Sequence, residues 1–274
     1  DIKMFKNKKR VLAAALAAVL ALGLFGCGGR KDQGTTAAGT TQQGTTTGEA
    51  AEAKVMRLGS TGYFAAETMD PANGWDGWYM MFDGALETLF KLDETISPVP
   101  ALALSCKSED YVTWTIELRD DVTFQSGRKM TAEAVKACFE RTWEQSARAK
   151  EQISIESIEA SGQTLTIRLS EADVTLMNDL TDPLWSVYDT ENSDYAETMY
   201  GTGPYIITEF EPFTETVVEK YENYWGGEPD IKSIEFKVIN ETAQIVNAIE
   251  IGDIDISTMV PVDEIEYIES LGYT

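Results

Sequence analysis

The chain has 274 residues and carries 46 Asp+Glu against 22 Lys+Arg, a net charge of −24. That acid excess repels phosphate backbones and anionic headgroups, which argues against nucleic acid as a partner and against a peripheral membrane face. The chain has no histidine, so it lacks the commonest general base and transition-metal ligand, and Ser-His-Asp and Cys-His catalysis are excluded within it.

The first segment is basic, with Lys6, Lys8, Lys9 and Arg10, followed by the apolar run Val11 to Phe25 and then Gly26-Cys27. A basic region, an apolar stretch shorter than the roughly 20 residues needed to span the hydrocarbon core, and a small residue before the cut describe a secretory signal over 1–27. Leu24-Phe25-Gly26-Cys27 resembles the lipobox of bacterial lipoproteins, which implies lipidation of Cys27 and an extracytoplasmic chain anchored to the cell membrane. A plain signal peptide with an incidental cysteine is the alternative. Removal of 1–27 takes five Lys+Arg and one acid and leaves a net charge of −28. Residues 28–53, with repeated Gly-Thr-Thr, have the composition of a flexible linker.

The folded part starts with a strand, Val55 to Gly59, and a loop, Ser60 to Trp75, whose turn signal is Asp70-Pro71-Ala72-Asn73-Gly74. Apolar residues at Trp78, Met81, Phe82, Ala85, Leu86 and Leu89 predict a helix from Trp78 to Phe90. Val112, Trp114, Ile116 and Leu118 alternate with polar residues as in a half-buried strand. Thr131 reads as the N-cap of a helix to about Gln145. Ile153–Glu159 with Leu165–Leu169, and Tyr205–Phe210 with Thr216–Tyr221, read as hairpins, and Asp173 to Leu180 as a short helix. Strand Ser233–Ile239, helix Thr242–Ile249 and strand Asp253–Ser257 form a βαβ-like unit that implies a parallel pair, and Val262 to Leu271 starts another helix. The class is α/β, a mixed sheet with antiparallel hairpins. Cys106 and Cys138 are either a disulfide or two buried thiols, the second being preferred. Tyr224-Trp225 reads as an apolar plug, and Arg119 as a salt-bridging strand end.

Four stretches together resemble the extracytoplasmic solute-binding proteins of peptide and nickel ABC importers, family 5. They are Trp114 to Phe124 followed by Ser126-Gly127 and Thr131 to Val135; Gly201-Thr202-Gly203-Pro204-Tyr205; Asn223 to Pro229 followed by Ile234 to Ile239; and Ala248 to Asp255. The resemblance implies a two-lobed, class II periplasmic-binding-protein clamshell of roughly twice this length. On that mapping 54–258 form the first lobe and 259–274 start a second, and the sequence is expected to be an N-terminal fragment with the second lobe largely missing.

The resemblance further implies a small-molecule ligand, most readily an oligopeptide, with an ABC permease, an ATPase and a lipid-anchored position as partners. It implies no cofactor, no metal site and no catalysis. Binding clefts favour rigid aromatics with a few polar groups, and the candidates are Tyr63, Phe64, Met69, Asp70, Trp75, Trp78, Tyr79 and Trp185. Trp78 could equally be core on its helical stripe. A nickel-chelate or other small-solute receptor, and a sensory or adhesive lipoprotein without transport, are the alternatives. Among enzymes, only carboxylate-pair chemistry stays compatible with so many acids.

Overall fold

The structure, a computed structural model, describes residues 55–62 and 65–274. The expected signal segment with Cys27, the expected linker, and the candidates Tyr63 and Phe64 lie outside the described residues. The strands are β1 (Val55–Ser60), β2 (Phe90–Leu92), β3 (Pro98–Pro100), β4 (Ala103–Lys107), β5 (Thr113–Leu118), β6 (Ile155–Ser161), β7 (Thr164–Leu169), β8 (Tyr205–Glu211), β9 (Glu215–Lys220), β10 (Ser233–Val238) and β11 (Ile256–Ser257). The helices are α1 (Asp76–Phe82), α2 (Ala132–Gln145), α3 (Ala147–Gln152), α4 (Leu176–Asp179), α5 (Thr242–Glu250) and α6 (Ile265–Ser270).

Two larger sheets organise the chain. An antiparallel sheet runs β4-β5-β7-β6, and a mixed sheet runs β11-β1-β10-β9-β8. In β5, Trp114, Ile116 and Leu118 are buried while Thr115 and Glu117 face solvent. The pairing puts Trp114 opposite Ile167 and Ile116 opposite Leu165, so the apolar faces of β5 and β7 coincide. Thr131 caps α2, its Oγ1 accepting from the Ala134 amide at 3.3 Å. Ala134, Val135, Cys138, Phe139 and Thr142, spaced by three and four, are the face that α2 buries. With the Pro183–Trp185 turn and Phe90 and Phe124 they complete the main core. Two smaller cores form around Val218, Ile234 and Phe236, and around Ile245, Ile249, Ile254 and Ile268.

Three sequence expectations need correction. The helix expected to reach Phe90 stops at Phe82, because Gly84 adopts φ +80° and turns the chain out of the helix. Ala85, Leu86 and Leu89 are still buried, but in an extended segment whose backbone pairs elsewhere. Ala85 O accepts from Gly203 N at 3.1 Å, Gly84 O from Tyr205 N at 3.1 Å and Glu87 O from Val187 N at 2.8 Å. Spacing alone does not distinguish these buried positions from a helical stripe. Second, β10 and β11 are parallel but do not pair, since β1 lies between them and pairs with both. A bidentate pair from Arg57 to Asp255, at 3.1 Å for both bonds, ties β1 to the approach to β11. Third, only Leu176–Asp179 is helical in the 173–180 segment. Asp173 instead folds back as an Asx turn, its Oδ1 accepting from the Thr175 amide at 2.7 Å.

The Tyr224-Trp225 plug is also polar at its tip. Tyr224 Oη donates to Glu87 Oε1 at 2.7 Å and Trp225 Nε1 to Glu87 Oε2 at 2.9 Å. Burial pushes the Glu87 carboxyl above its ordinary range, and these two bonds partly offset the push. Arg119 pairs with Asp121 at 2.6 Å, the strand-end bridge expected, and also stacks 4.3 Å over Trp225. Cys106 and Cys138 are separate thiols, and burial pushes both up to about 12.

Two stability measurements follow. A Cβ at Gly203 would collide with the carbonyl oxygen of Gly84 and the backbone of Ala85. Gly203→Ala is therefore expected to cost roughly 1–3 kcal/mol in urea unfolding. Asp83 is 3% exposed and its Oδ1 has no hydrogen-bond partner. Desolvation holds its carboxyl well above the usual carboxylate range. The folded state thus retains a proton that the unfolded state releases, and stability falls as pH rises above the ordinary carboxylate value. Asp83→Asn is expected to gain stability relative to wild type as pH rises from about 4 to about 7 in urea unfolding, because only the wild-type carboxyl is charged in the unfolded state there. A constant difference across that range would show that Asp83 is ionised in the folded protein.

Candidate functional site

The loop before α1 is organised from within. Asp76, the first residue of α1, is 4% exposed. Its carboxylate accepts from Glu67 N at 3.1 Å, Thr68 N at 2.9 Å, Thr68 Oγ1 at 2.9 Å and Asn73 Nδ2 at 2.9 Å. Asp70 starts the turn, its backbone oxygen accepting from Asn73 N at 3.0 Å and its Oδ1 from Ala72 N at 3.0 Å. These bonds fix where α1 begins and therefore which residues it turns outward.

Asp76, Gly77 and Met80 face inward. Trp75, Trp78 and Phe82 are 55%, 46% and 51% exposed, the outward face of the same short helix and its cap. With Tyr79, Thr61 and Gly62 they line a cavity of about 360 Å³. Trp75 and Trp78 meet edge to face at a centroid distance of 5.9 Å. Trp78 is thus part of an exposed wall and not core.

Two charged residues brace this wall. The Arg148 guanidinium lies 3.8 Å over the Trp75 ring and donates from Nη1 to Gly74 O at 2.9 Å. Its Nη2 reaches Asp182 Oδ2 at 3.3 Å. Asp182 Oδ1 accepts from Trp78 Nε1 at 3.2 Å and from the Leu184 amide at 2.9 Å. Each indole is therefore fixed by one member of an ion pair.

Of the candidates named from sequence, Trp75, Trp78 and Tyr79 are brought together. Met69 is 2% exposed and belongs to the main core. Trp185 is fully buried, edge-on to Phe139 at 5.3 Å, with Nε1 donating to Gln152 Oε1 at 3.1 Å. Neither presents a surface to a solute, because both supply the apolar area that the four-stranded sheet and α2 need to cover. Asp70 lies apart from the wall, beside Glu67, Thr68, Asn73, Asp194 and Tyr195. Its carboxylate is held by Arg141 at 2.8 and 2.7 Å, and the same guanidinium stacks 4.0 Å over Tyr195. Sequence reasoning missed Phe82 as a wall residue although it stands four positions after Trp78 on one helical face. It also missed Arg148 and Asp182, which no local signal links to Trp75 and Trp78.

Among the described residues no group of three or more Cys, Asp or Glu side chains could hold a metal ion. Among the same residues no helix is long and apolar enough to cross a membrane.

The chain is similar to several characterised proteins. Residues 97–273 match the family described as bacterial extracellular solute-binding proteins, family 5 Middle. The nickel-binding protein NikA of Staphylococcus aureus is 35% identical over 188 residues, which cover 68% of this chain and 38% of that relative. A probable D,D-dipeptide-binding periplasmic protein, DdpA of Escherichia coli, is 28% identical over 218 residues, covering 73% of this chain and 42% of the relative. A crystal structure of Staphylococcus aureus NikA in complex with Ni(L-His)2 superposes with a TM-score of 0.73 at 30% identity, covering 79% of this chain and 46% of that one. The chain spans about two fifths of the length of the curated relatives it matches. The α/β architecture with mixed sheets is the one expected, shared with two-lobed periplasmic binding proteins. By the family match and the identity to these relatives, the chain belongs to the bacterial extracellular solute-binding proteins of family 5.

Proposed function

We propose that this chain contributes the first lobe of an ABC importer's substrate receptor, which captures a small solute outside the cytoplasm and delivers it to a membrane permease driven by an ATPase. The lipobox-like segment ending at Cys27 supports a lipid anchor in the same membrane. The observation that carries the reading is the outward aromatic wall of Trp75, Trp78, Tyr79 and Phe82, braced by Arg148 and Asp182. Exposed indoles fixed by hydrogen bonds and stacking form a prepaid binding surface, since little side-chain entropy is lost when a ligand lands on them. The mechanism is capture and closure. A solute that contacts both lobes favours the closed form by its extra contacts there, and no bond is made or broken.

Two solute classes fit. An oligopeptide follows from the motif resemblance, and the name of DdpA supports it. A nickel chelate is supported by the higher identity to NikA. A chelate brings its own donor atoms, so a chain without histidine could still carry the metal if the wall holds the organic part.

The intact receptor, purified natively, should carry a solute that mass spectrometry and elemental analysis identify. Peptide without metal supports the first class and stoichiometric nickel the second, while hydrolysis of the solute on the protein would overturn the receptor reading. Trp75→Ala and Trp78→Ala should each weaken that solute by about tenfold or more in calorimetry. Both side chains are exposed, so the thermal midpoint should move by only a few degrees. Unchanged affinity in both variants would remove the wall from the binding surface.

A further inference from the structure

Among the described residues, four aromatic rings line the cavity, at Trp75, Trp78, Tyr79 and Phe82, and no charged side chain does. Arg148 stands at its edge with its charge already engaged. One face covers Trp75 at 3.8 Å, Nη1 donates to Gly74 O at 2.9 Å and Nη2 to Asp182 Oδ2 at 3.3 Å. A guanidinium used in this way offers little to an anionic solute.

Asp182 acts on both partners. It neutralises Arg148, and its Oδ1 accepts from Trp78 Nε1 at 3.2 Å. A carboxylate on an indole N–H pushes electron density into the ring and deepens the negative potential of its face, the feature to which cations bind. The long-range field has the same sign, because a chain of net charge −24 draws cations toward itself and repels anions.

We infer that this wall selects for positive charge: the solute presents an ammonium, a guanidinium or a cationic complex to the rings of Trp75 and Trp78, and Asp182 is the residue that sets the preference. The inference rests on the receptor reading above and names the chemical class of its solute. A basic peptide and a cationic nickel complex share that chemistry.

The test is a set of charge-matched probes titrated into the intact receptor, followed by tryptophan fluorescence and calorimetry. The peptide arm compares Ala-Lys-Ala with Ala-Glu-Ala, and the metal arm compares nickel tris(ethylenediamine) dication with nickel-EDTA dianion. In whichever arm binds, the cation should bind about tenfold tighter than the anion. Asp182→Asn keeps an oxygen for the Leu184 amide and the Trp78 indole but removes the charge. It should reduce the cation-to-anion ratio by about tenfold, mostly by a gain in anion binding through the released Arg148. Arg148→Met added to Asp182→Asn should abolish that gain. Anions binding as tightly as cations to the wild type, or a ratio unchanged by Asp182→Asn, would overturn the inference. A copurifying solute of net negative charge would overturn it too while leaving the receptor function intact. Failure of the intact receptor to bind any solute would overturn both.

Discussion

Gln125 joins three segments that are far apart in the chain. Its side-chain Nε2 donates toward the carbonyl oxygens of Ala85 at 3.3 Å, Gly203 at 3.1 Å and Tyr205 at 2.6 Å, and its Oε1 accepts from the Gly201 amide at 3.0 Å. The residue is 8% exposed. A buried amide with every polar atom engaged stabilises a unique arrangement, since displacing any one partner leaves an unmet donor or acceptor in a low-dielectric interior. Gly201 and Gly203 make the seam possible, because a side chain at either would strike the Ala85 or Gly84 backbone.

The aromatic wall depends on this seam. The segment that leaves α1 is locked to the start of β8, so the helix cannot roll and its outward face is set. Asp76 fixes the other end of the helix through four hydrogen bonds. Between these anchors, Trp78 and Phe82 have nowhere to go but outward. Leaving three large aromatic side chains about half exposed on one short segment forgoes part of the burial each would have gained. A surface feature with that cost belongs to recognition more readily than to stability.

Electrostatics separates the scaffold from the site. Asp83 is buried and Glu87 half-buried, desolvation holds both carboxyls above their ordinary range, and both lie in the segment that connects α1 to the seam. Arg148 and Asp182 are only partly exposed, at 29% and 20% of their side chains, and neutralise one another next to the indoles. Desolvation disfavours the charged form of the first pair. The second leaves the wall aromatic and short of free charge.

Much of the molecule was legible in one dimension because the signals are local. The alternation of Trp114, Ile116 and Leu118, the Thr131 cap and the two hairpins depend on neighbours within a few residues, so period and turn chemistry were enough to place them. Trp75, Trp78 and Tyr79 were legible as candidates because binding clefts favour rigid aromatics and because the family resemblance implies cleft contacts at this stretch. The resemblance to family 5 was carried by motifs such as Gly201 to Tyr205, whose work in the structure is backbone packing. Where the helix ended, and whether Trp78 or Trp185 faced out, could not be decided locally. Both are tryptophans beside a turn, and only the core around Phe139 and Gln152 buries one while the Asp76 and Gln125 anchors expose the other. The contact between Arg148, Asp182 and Trp78 joins positions 34 and 104 residues apart. No sequence spacing encodes that meeting; the packing of α1 against the Pro183–Trp185 turn decides it.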